Sequence, residues 1–344
     1  MIEFKHHEYE DVEHPFAQYI RIIGKGKNGA RHLTQIESYD AMKMIINGQL
    51  LDEQLGAFMM LMRMKEESAE ELAGFCQAIK DQFNNQISSN LHIHPDFDWP
   101  CYAGKKRQLP WYLLAALALS DSGYKIFMHG FDGHTIGRMY AEKTLNALGI
   151  DTAKSVQQAQ TQLQESNFSY LCLRYINPAM ANVMNKRNVM GLRTPVHTLC
   201  RMINPFNAKN VLQGIFHPAY QGVHQKANIL LGYPSALVYK GEGGEFERNP
   251  ESKREAYLVK DSTEHSIVFD KLLERRLVKP KTLDIEVLKR VWRSNQAVIG
   301  EQGFDYGLPA IIGSIELALS TCMSQDHAKT KAVQIWNNRN KNKI

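Results

Sequence analysis

The sequence predicts an α+α/β protein, in which a small N-terminal helical domain is followed by an α/β domain with a mainly parallel sheet covered by helices. A length of 344 residues suits roughly two domains. Residues 1–88 carry apolar side chains at helical spacing, and from residue 89 onward short apolar strands alternate with helices. This alternation is typical of a parallel sheet, with ligands at the carboxyl ends of its strands.

Capping boxes mark two helix starts in the N-terminal domain. Thr34 with Glu37 forms the first, and Ser68 with Glu71 forms the second. Between them, a helix begins after Asp52 and carries Met59, Met60, Met62 and Met64 around more than one face. Core packing is the main interpretation of these methionines, and a subunit interface is the alternative.

The α/β part is predicted from the alternation of apolar runs. Strands are expected near 91–97, 124–128, 168–174, 210–216 and 235–240. Helices are expected at 109–120, 137–148, 152–166, 218–231, 283–299 and 309–326. A loosely polar helical stretch near 177–202 predicts a return to the helical domain, so that 89–176 and 203–344 form the α/β domain. The basic tail from Lys329 is predicted to be frayed.

Composition limits the class of protein. The net charge of +5 is mild, so only a local cluster of cations would argue for nucleic acid. The five cysteines are scattered and odd in number, which favours a reduced cytoplasmic environment over a disulfide framework. The longest apolar run, 109–119, is far shorter than a bilayer requires. We therefore expect a cytoplasmic protein without a membrane partner.

A basic loop lies between the first predicted strand and the buried helix that follows it. Gly104 precedes Lys105, Lys106 and Arg107, and Tyr102 and Trp111 lie on either side. Because cations neutralise phosphates and aromatic rings stack on bases, this mixture favours a nucleic-acid strand as ligand. The alternative is a solvated turn.

Three other sequence patterns give weaker evidence of function. The glycines of 24–29 match G-x-G-x-x-G, but no strand precedes them, so a dinucleotide site is not predicted. His92 and His94 would share one face of a strand, either as a metal pair or as ordinary strand residues. The basic stretch from Arg275 to Arg293 is interleaved with carboxylates, which favours a solvated face, with an accessory phosphate contact as the alternative.

A set of short motifs then gives a family resemblance. Their order and spacing match over most of the chain: Gln54–Phe58, Arg63–Ser68, Glu71–Gly74, His129–Gly130, Ala147–Gly149, Asn177–Met180, Gly191–Thr194 and Ile203–Pro205. With them the chain resembles anthranilate phosphoribosyltransferase. The resemblance implies a helical domain that mediates homodimerisation, and an α/β domain of the kind shared with pyrimidine nucleoside phosphorylases.

The chain departs from the family pattern at three places. The family's G-T-G-G-D phosphate loop is replaced by residues 102–107, and its K-H-G-N-R-S loop reads Met128 to Gly133. Phe246 stands where the acidic magnesium motif has its Asp, which leaves Glu245 and Glu247 as residual metal candidates. We therefore expect no metal and no cofactor. Magnesium and phosphoribosyl pyrophosphate belong only to the alternative, a phosphoribosyl or pentosyl transferase acting on an unidentified base or aromatic acid.

One branch of the family shares the Tyr-Ala-Gly-basic-basic and Gly-Glu-Gly-Gly-Glu signatures and binds nucleic acid without sequence preference. The resemblance to this branch predicts a nucleic-acid-binding homodimer, with single- or double-stranded DNA or RNA as partner. The predicted phosphate and base contacts are Lys105, Lys106, Arg107, Lys186, Arg187, Arg193, Arg201, Lys209, Tyr102 and Trp111. Gly104, His129 and Gly130 are predicted to line the cleft, where His129 is a candidate base or anion donor.

Overall fold

The computed structural model describes residues 12–87, 93–133, 135–294 and 302–344. The helices of its N-terminal part are α1 (Ala17–Gly24), α2 (Gln35–Ile46), α3 (Asp52–Lys65) and α4 (Ala69–Asn84). Both predicted capping boxes are confirmed, because the hydroxyls of Thr34 and Ser68 accept hydrogen bonds from the amides three residues later.

Helices α2 and α4 pack closely because a glycine lies at their contact. A Cβ atom on Gly74 would lie 2.2 Å from the carbonyl oxygen of Gln35. The buried carboxylate of Glu71 joins three segments, since it accepts hydrogen bonds from Leu33 N, Ser68 N and Lys65 Nζ, each at 2.8 Å. These contacts hold the helical part together.

The methionines of α3 divide between the core and the surface. Met59 and Met62 are 1% and 0% exposed, which confirms core packing for these two, whereas Met64 is 81% exposed. The expectation that Met59 or Met62 lies at a subunit interface is wrong, because both side chains are enclosed within a single chain.

Strands and helices alternate in the rest of the chain. The first group is β1 (Phe97–Cys101), α5 (Trp111–Asp121), β2 (Ile126–Gly130), α6 (Ala141–Ala147), α7 (Val156–Glu165) and β3 (Phe168–Cys172). Short helices follow: α8 (Leu173–Ile176), α9 (Pro178–Asn185), α10 (Arg187–Met190) and α11 (Val196–Leu199). The second group is β4 (Asn210–Ile215), α12 (Gln221–Leu230), β5 (Ser235–Lys240), β6 (Arg254–Lys260) and β7 (Thr263–Phe269). The C-terminal helices are α13 (Glu286–Arg293), α14 (Gln302–Leu319) and α15 (Gln325–Asn338).

Within the described residues, seven strands form one sheet in the order β3-β2-β1-β4-β5-β6-β7. Strands β1 to β5 pair in parallel, and β6 and β7 extend the sheet as an antiparallel hairpin. The predicted fold class is confirmed. The hairpin was not predicted; its turn uses Asp261 and Ser262, both at positive φ.

Helices α9 and α11 pack against α2 and α4, so this stretch of the chain contacts the helical part. The domain boundaries drawn at residues 88, 176 and 203 stay predictions. His92 lies outside the described residues, and His94 Nδ1 lies 3.2 Å from the carbonyl oxygen of Phe206.

The C-terminal helices cover the buried helix α5. A Cβ atom on Gly307 of α14 would lie 2.6 Å from the ring of Trp111, so the glycine makes room for that side chain. The prediction of a frayed tail is wrong: α15 continues to Asn338, and the guanidinium of Arg339 lies 3.7 Å from the centre of the Trp336 ring.

The cysteines are all free. Cys76, Cys101, Cys172 and Cys200 are buried, and burial raises the pKa of each thiol, to about 12 for Cys76 and about 11 for Cys172. Cys322 is exposed. In the described ranges, no helix is both long enough and apolar enough to cross a membrane.

Candidate nucleic-acid interface

A groove rich in cations lies beyond the carboxyl ends of β4 and β5. We call it the basic groove, and its volume is about 430 Å³. Its lining includes six cations beside the buried Lys105: Lys106, Arg107, Arg138, Lys240, Arg254 and Lys279. Within the part of the chain that the structure describes, Glu242 is the one carboxylate that lines the groove, and none of these six cations pairs with a carboxylate.

The loop from Tyr102 to Arg107 is held in place by backbone contacts. Lys105 and Met139 exchange two backbone hydrogen bonds, of 2.8 and 2.7 Å. Arg138 Nη1 donates to the carbonyl oxygens of Ala103 and Gly104 at 3.0 and 2.9 Å. Gly104 adopts a φ of +67°, where a side chain would be strained and would meet the Tyr140 ring. As a result, Lys106 and Arg107 are presented to solvent.

Lys105 faces inward. Its side chain is 1% exposed, and Nζ lies 2.5 Å from Glu247 Oε1 and 3.1 Å from the carbonyl oxygen of Glu242. The prediction that Lys105 contacts a nucleic-acid phosphate is wrong for this arrangement, because the ammonium already neutralises a buried carboxylate.

Glu245 and Glu247 accept hydrogen bonds from backbone amides that follow β1. Glu245 Oε1 accepts hydrogen bonds from Ala103 N at 2.9 Å and Gly104 N at 2.5 Å. Glu247 Oε2 accepts from Tyr112 N, in the first turn of α5, at 2.9 Å. Loop amides beside a helix N-terminus form the kind of cradle that binds phosphate. Here two carboxylates of the same chain fill it.

These two carboxylates do not fit a magnesium site. Their oxygen atoms face N–H groups and an ammonium, which would repel a cation, and no cluster of three potential metal-ligating side chains is found in the described ranges. Burial raises the pKa of Glu245 against the lowering effect of Arg201, and raises that of Glu247 to about 7 against the lowering effect of Lys105.

The aromatic side chains predicted to stack on bases lie in the core. Tyr102 and Trp111 are each 1% exposed, so the prediction that they contact bases is wrong. Phe246 is also fully buried and packs edge-on against Trp99, with ring centres 5.5 Å apart. Phe246, which the family resemblance places at the acidic position, is therefore part of the hydrophobic core.

His129 is a buried structural residue. Its Nδ1 lies 2.7 Å from the hydroxyl of Tyr102, and its Nε2 lies 3.2 Å from Asp98 Oδ1. The side chain is 0% exposed and both ring nitrogens have partners, so a catalytic or anion-donating role stays a prediction. Gly130 is also enclosed, since a Cβ atom there would lie 2.3 Å from the carbonyl oxygen of Cys101.

A smaller pocket adjoins the basic groove, and we call it the arginine recess. It has a volume of about 120 Å³, and Phe216 and Gly243 line both it and the groove. Its other lining residues include Arg63, Arg193, Thr194, Arg201, Tyr220 and His224. The predicted residues Arg193 and Arg201 thus meet at one site. Arg201 is buried, and its Nη1 donates to the carbonyl oxygen of Gly214 at 2.6 Å.

The other predicted cations do not line these two sites, although the charge of Arg187 acts on Arg193. Lys186 pairs with Asp52 at 3.0 Å, and Arg187 donates to the hydroxyl of Thr135 at 2.9 Å. Lys209 immediately precedes β4, so it lies at the amino ends of the parallel strands. Its prediction as a cleft residue is wrong, because the groove lies beyond the carboxyl ends.

The sequence analysis did not predict several residues that line the basic groove. Phe216, Arg138, Lys240 and Arg254 line the groove, and Phe216 is 50% exposed. Phe216 follows β4 directly and Lys240 ends β5, so their positions after strands were the available signal. Lys279 also lines the groove, and it belongs to the basic stretch that was interpreted as a solvated face.

A helical bundle packed on an α/β domain, with a cationic cleft beside the carboxyl ends of the strands, defines a two-domain glycosyltransferase scaffold. A model described as "Glycosyl transferase family, helical bundle domain" matches residues 17–83, and one described as "Glycosyl transferase family, a/b domain" matches residues 112–274. Together they cover more than half of the chain. The chain therefore belongs to this glycosyl transferase family, which includes the anthranilate phosphoribosyltransferases.

The relatives include proteins with and without a described activity. The chain is 27% identical to the uncharacterized protein YbiB of Escherichia coli, over 69% of this chain and 73% of that protein. It is 26% identical to anthranilate phosphoribosyltransferase of Saccharolobus islandicus, over 68% of this chain and 66% of the enzyme. The crystal structure of the Thermus thermophilus enzyme has a TM-score of 0.72 at 19% identity, covering 93% of this chain and 94% of that one. At this identity the structural likeness establishes the fold alone.

The Lys105–Glu247 pair gives a testable prediction. Lys105→Met and Glu247→Gln should each lower the free energy of unfolding by about 3–5 kcal/mol, because each leaves a buried charge without its partner. The double variant should lose less free energy of unfolding than the two single variants lose in sum. Urea denaturation of the four proteins measures this, and additive losses would contradict a coupled pair.

The pH dependence of Lys105→Met provides a control. A carboxyl whose folded pKa is raised above its ordinary value of 4.5 binds a proton more readily in the folded state. The ionised carboxylate therefore destabilises the folded state most at mildly alkaline pH. This destabilisation shrinks as the pH falls below the folded pKa. The loss in Lys105→Met should accordingly be smaller at mildly acid pH.

Proposed function

We propose that this protein binds nucleic acid without sequence preference and is built on a phosphoribosyltransferase scaffold. The observation that carries the proposal is the contrast between two neighbouring sites. The phosphate-cradle amides are taken by Glu245 and Glu247, whereas the six cations of the basic groove have no carboxylate partner in the described ranges. The scaffold thus has no vacant cradle for a phosphorylated sugar but keeps an open surface for phosphates.

The charge of the groove favours a polyanion. Cations that line a concave surface attract a phosphate backbone and release its counterions on binding. Lysine and arginine contacts to phosphates fix the position of a strand but do not distinguish its bases. A groove lined by such side chains therefore supports binding that is independent of sequence.

Phe216 adds an aromatic surface to this groove. Its ring is half exposed, packs edge-on against His217, and borders both the basic groove and the arginine recess. Bases stack on exposed aromatic rings whatever their identity. Phe216 therefore takes the role that the sequence predicted for Tyr102 or Trp111.

The alternative function is phosphoribosyl or pentosyl transfer to an unidentified acceptor. The family membership and the arginines of the recess favour it. The filled amide cradle and the absence of a fitting magnesium site among the described residues weigh against it. Magnesium-dependent consumption of phosphoribosyl pyrophosphate above a protein-free background would support this alternative over nucleic-acid binding.

The salt dependence of binding tests the proposal. If the six groove cations each neutralise a phosphate, the logarithm of affinity should fall with the logarithm of salt concentration at a slope of about −4 on single strands and about −5 on duplex. Changing Lys106 and Arg107 together to Gln should make the single-strand slope shallower by about 1.4, because two contacts are lost. Fluorescence anisotropy titrations at several salt concentrations measure both slopes.

Lys209→Gln is the matched control for these changes. It also removes an exposed cation, but one at the amino ends of the strands. It should leave both affinity and slope unchanged. If the Lys106 and Arg107 variant bound with the parent's slope, the loop would be a solvated turn and the proposed groove would be wrong.

Phe216→Ala tests stacking separately from charge. It should weaken binding to single strands by about 1–3 kcal/mol at every salt concentration, with an unchanged slope, because a stacking contact releases no counterion. A thermal melt should show little change, since the side chain is half exposed. Trp111→Ala should instead lower the melting temperature strongly, because it leaves a cavity in the core.

We also propose that two copies of the chain associate through the helical part, as the family resemblance implies. Met64 on α3 and Ile36 on α2 are 81% and 75% exposed, so the helical part presents apolar side chains to solvent. Met64→Glu should give a monomer with an almost unchanged melting temperature. Met62→Glu should lower the melting temperature instead, because Met62 is in the core. Light scattering measures the mass, and a monomeric parent protein would contradict the dimer.

A further inference from the structure

The arginine recess concentrates positive charge beside the basic groove. Arg193 is half-buried and has no hydrogen-bonded carboxylate in the described part of the chain. Burial, together with the charges of Arg201, Arg138 and Arg187, lowers the pKa of Arg193 to about 10. The geometry agrees with this shift, because the guanidinium groups of Arg63, Arg193 and Arg201 all line the recess.

Buried polar atoms in the recess lack partners. Arg201 uses Nη1 to donate to two backbone carbonyls, those of Gly214 and Gly244, but its Nε has no partner in the described residues. The hydroxyl of Thr194, which is 3% exposed, is also without one in those ranges. Buried donors are normally hydrogen-bonded, so these atoms point to a ligand.

Three carboxylates lie near the recess but are not among its lining residues. Glu245 acts on Arg201 electrostatically, but its Oε1 accepts hydrogen bonds from two loop amides. Glu67, which acts on Arg63, is buried, and burial raises its pKa. Glu66 lies 3.5 Å from the hydroxyl of Tyr220. The lining of the recess itself carries three arginines and, among the described residues, no carboxylate, which favours an anion with more than one negative charge.

We propose that the arginine recess binds the terminal phosphate of a nucleic-acid strand that lies in the basic groove. A phosphate monoester carries about −1.5 to −2 charges at neutral pH, whereas a phosphate within the strand carries one. Guanidinium groups bind such an anion through paired N–H donors. This inference rests on the proposed nucleic-acid binding and adds a preference for phosphorylated ends.

The volumes of the two sites agree with a strand in the groove and a terminal phosphate in the recess. The recess, at about 120 Å³, is less than a third of the groove, at about 430 Å³. It accommodates a phosphate group but not a run of nucleotides. Because Phe216 and Gly243 border both sites, a strand that stacks on Phe216 would place its end in the recess.

Calorimetric titration with oligothymidylates of about 12 nucleotides tests the inference. Three forms are compared: a 5′-phosphate, a 3′-phosphate, and hydroxyl groups at both ends. One of the phosphorylated forms should bind about tenfold more tightly than the hydroxyl form, because it gains charge-assisted hydrogen bonds. The structure does not choose between the two ends, so a gain by either supports the inference.

Variants separate the recess from the groove. Arg193→Gln and Arg63→Gln should bring the ratio of affinities for phosphorylated and hydroxyl ends close to one. Lys279→Gln removes a charge from the groove, so it should weaken all three forms alike and keep the ratio. Arg63 is exposed, so its variant still carries the test if Arg193→Gln fails to fold in a circular dichroism melt.

Each other outcome has a distinct meaning. Equal affinity for the three forms would overturn the inference and leave nucleic-acid binding intact, whereas no binding of any form would overturn both. An unchanged ratio in the Arg193 and Arg63 variants would place the terminal phosphate elsewhere and overturn the inference. Thymidine 5′-monophosphate binding as tightly as the phosphorylated oligomer would also overturn it, by making the recess a site for a small molecule.

Discussion

The contact between the loop after β1 and the segment after β5 fixes the arrangement of the side chains beside the basic groove. Glu245 and Glu247 accept hydrogen bonds from amides of that loop and of the first turn of α5, and Lys105 neutralises Glu247 beneath them. A buried ion pair is stable only when its remaining atoms are hydrogen-bonded, and here the amides supply those bonds. The same contact fixes the loop, so that Lys106 and Arg107 project outward.

This arrangement also distinguishes the enclosed loop amides from the open basic groove. Carboxylates of the chain accept hydrogen bonds from the amides of the loop and of α5, and Phe246 between them lies in the hydrophobic core. Positive charge remains on the surrounding surface, where an extended anion has access.

The fold was predictable because its signals are local. Capping boxes and the alternation of apolar runs depend on neighbouring residues, and they placed most of the helices and the parallel strands. The site was harder, because burial depends on where strands end. Strand β1 continues through Asp98 and Pro100 to Cys101, and pairs with β4 only up to Asp98, so the proline costs no hydrogen bond there. The sequence pattern ended this strand early and therefore assigned Tyr102 to the surface. Phe216 was missed for the opposite reason. An aromatic residue that follows an apolar run looks like a continuation of the strand, so the predicted strand included it.

The distribution of cysteines has a practical consequence. A thiol reacts as its thiolate; burial raises the pKa of all five thiols, and four of the five cysteines are buried. In the native protein a maleimide or iodoacetamide reagent therefore has one accessible target, Cys322. The other four become reactive only when the core opens, and they are distributed over α4, β1, β3 and the end of α11. The rate at which they are alkylated at neutral pH reports the stability of these parts of the fold without any added probe.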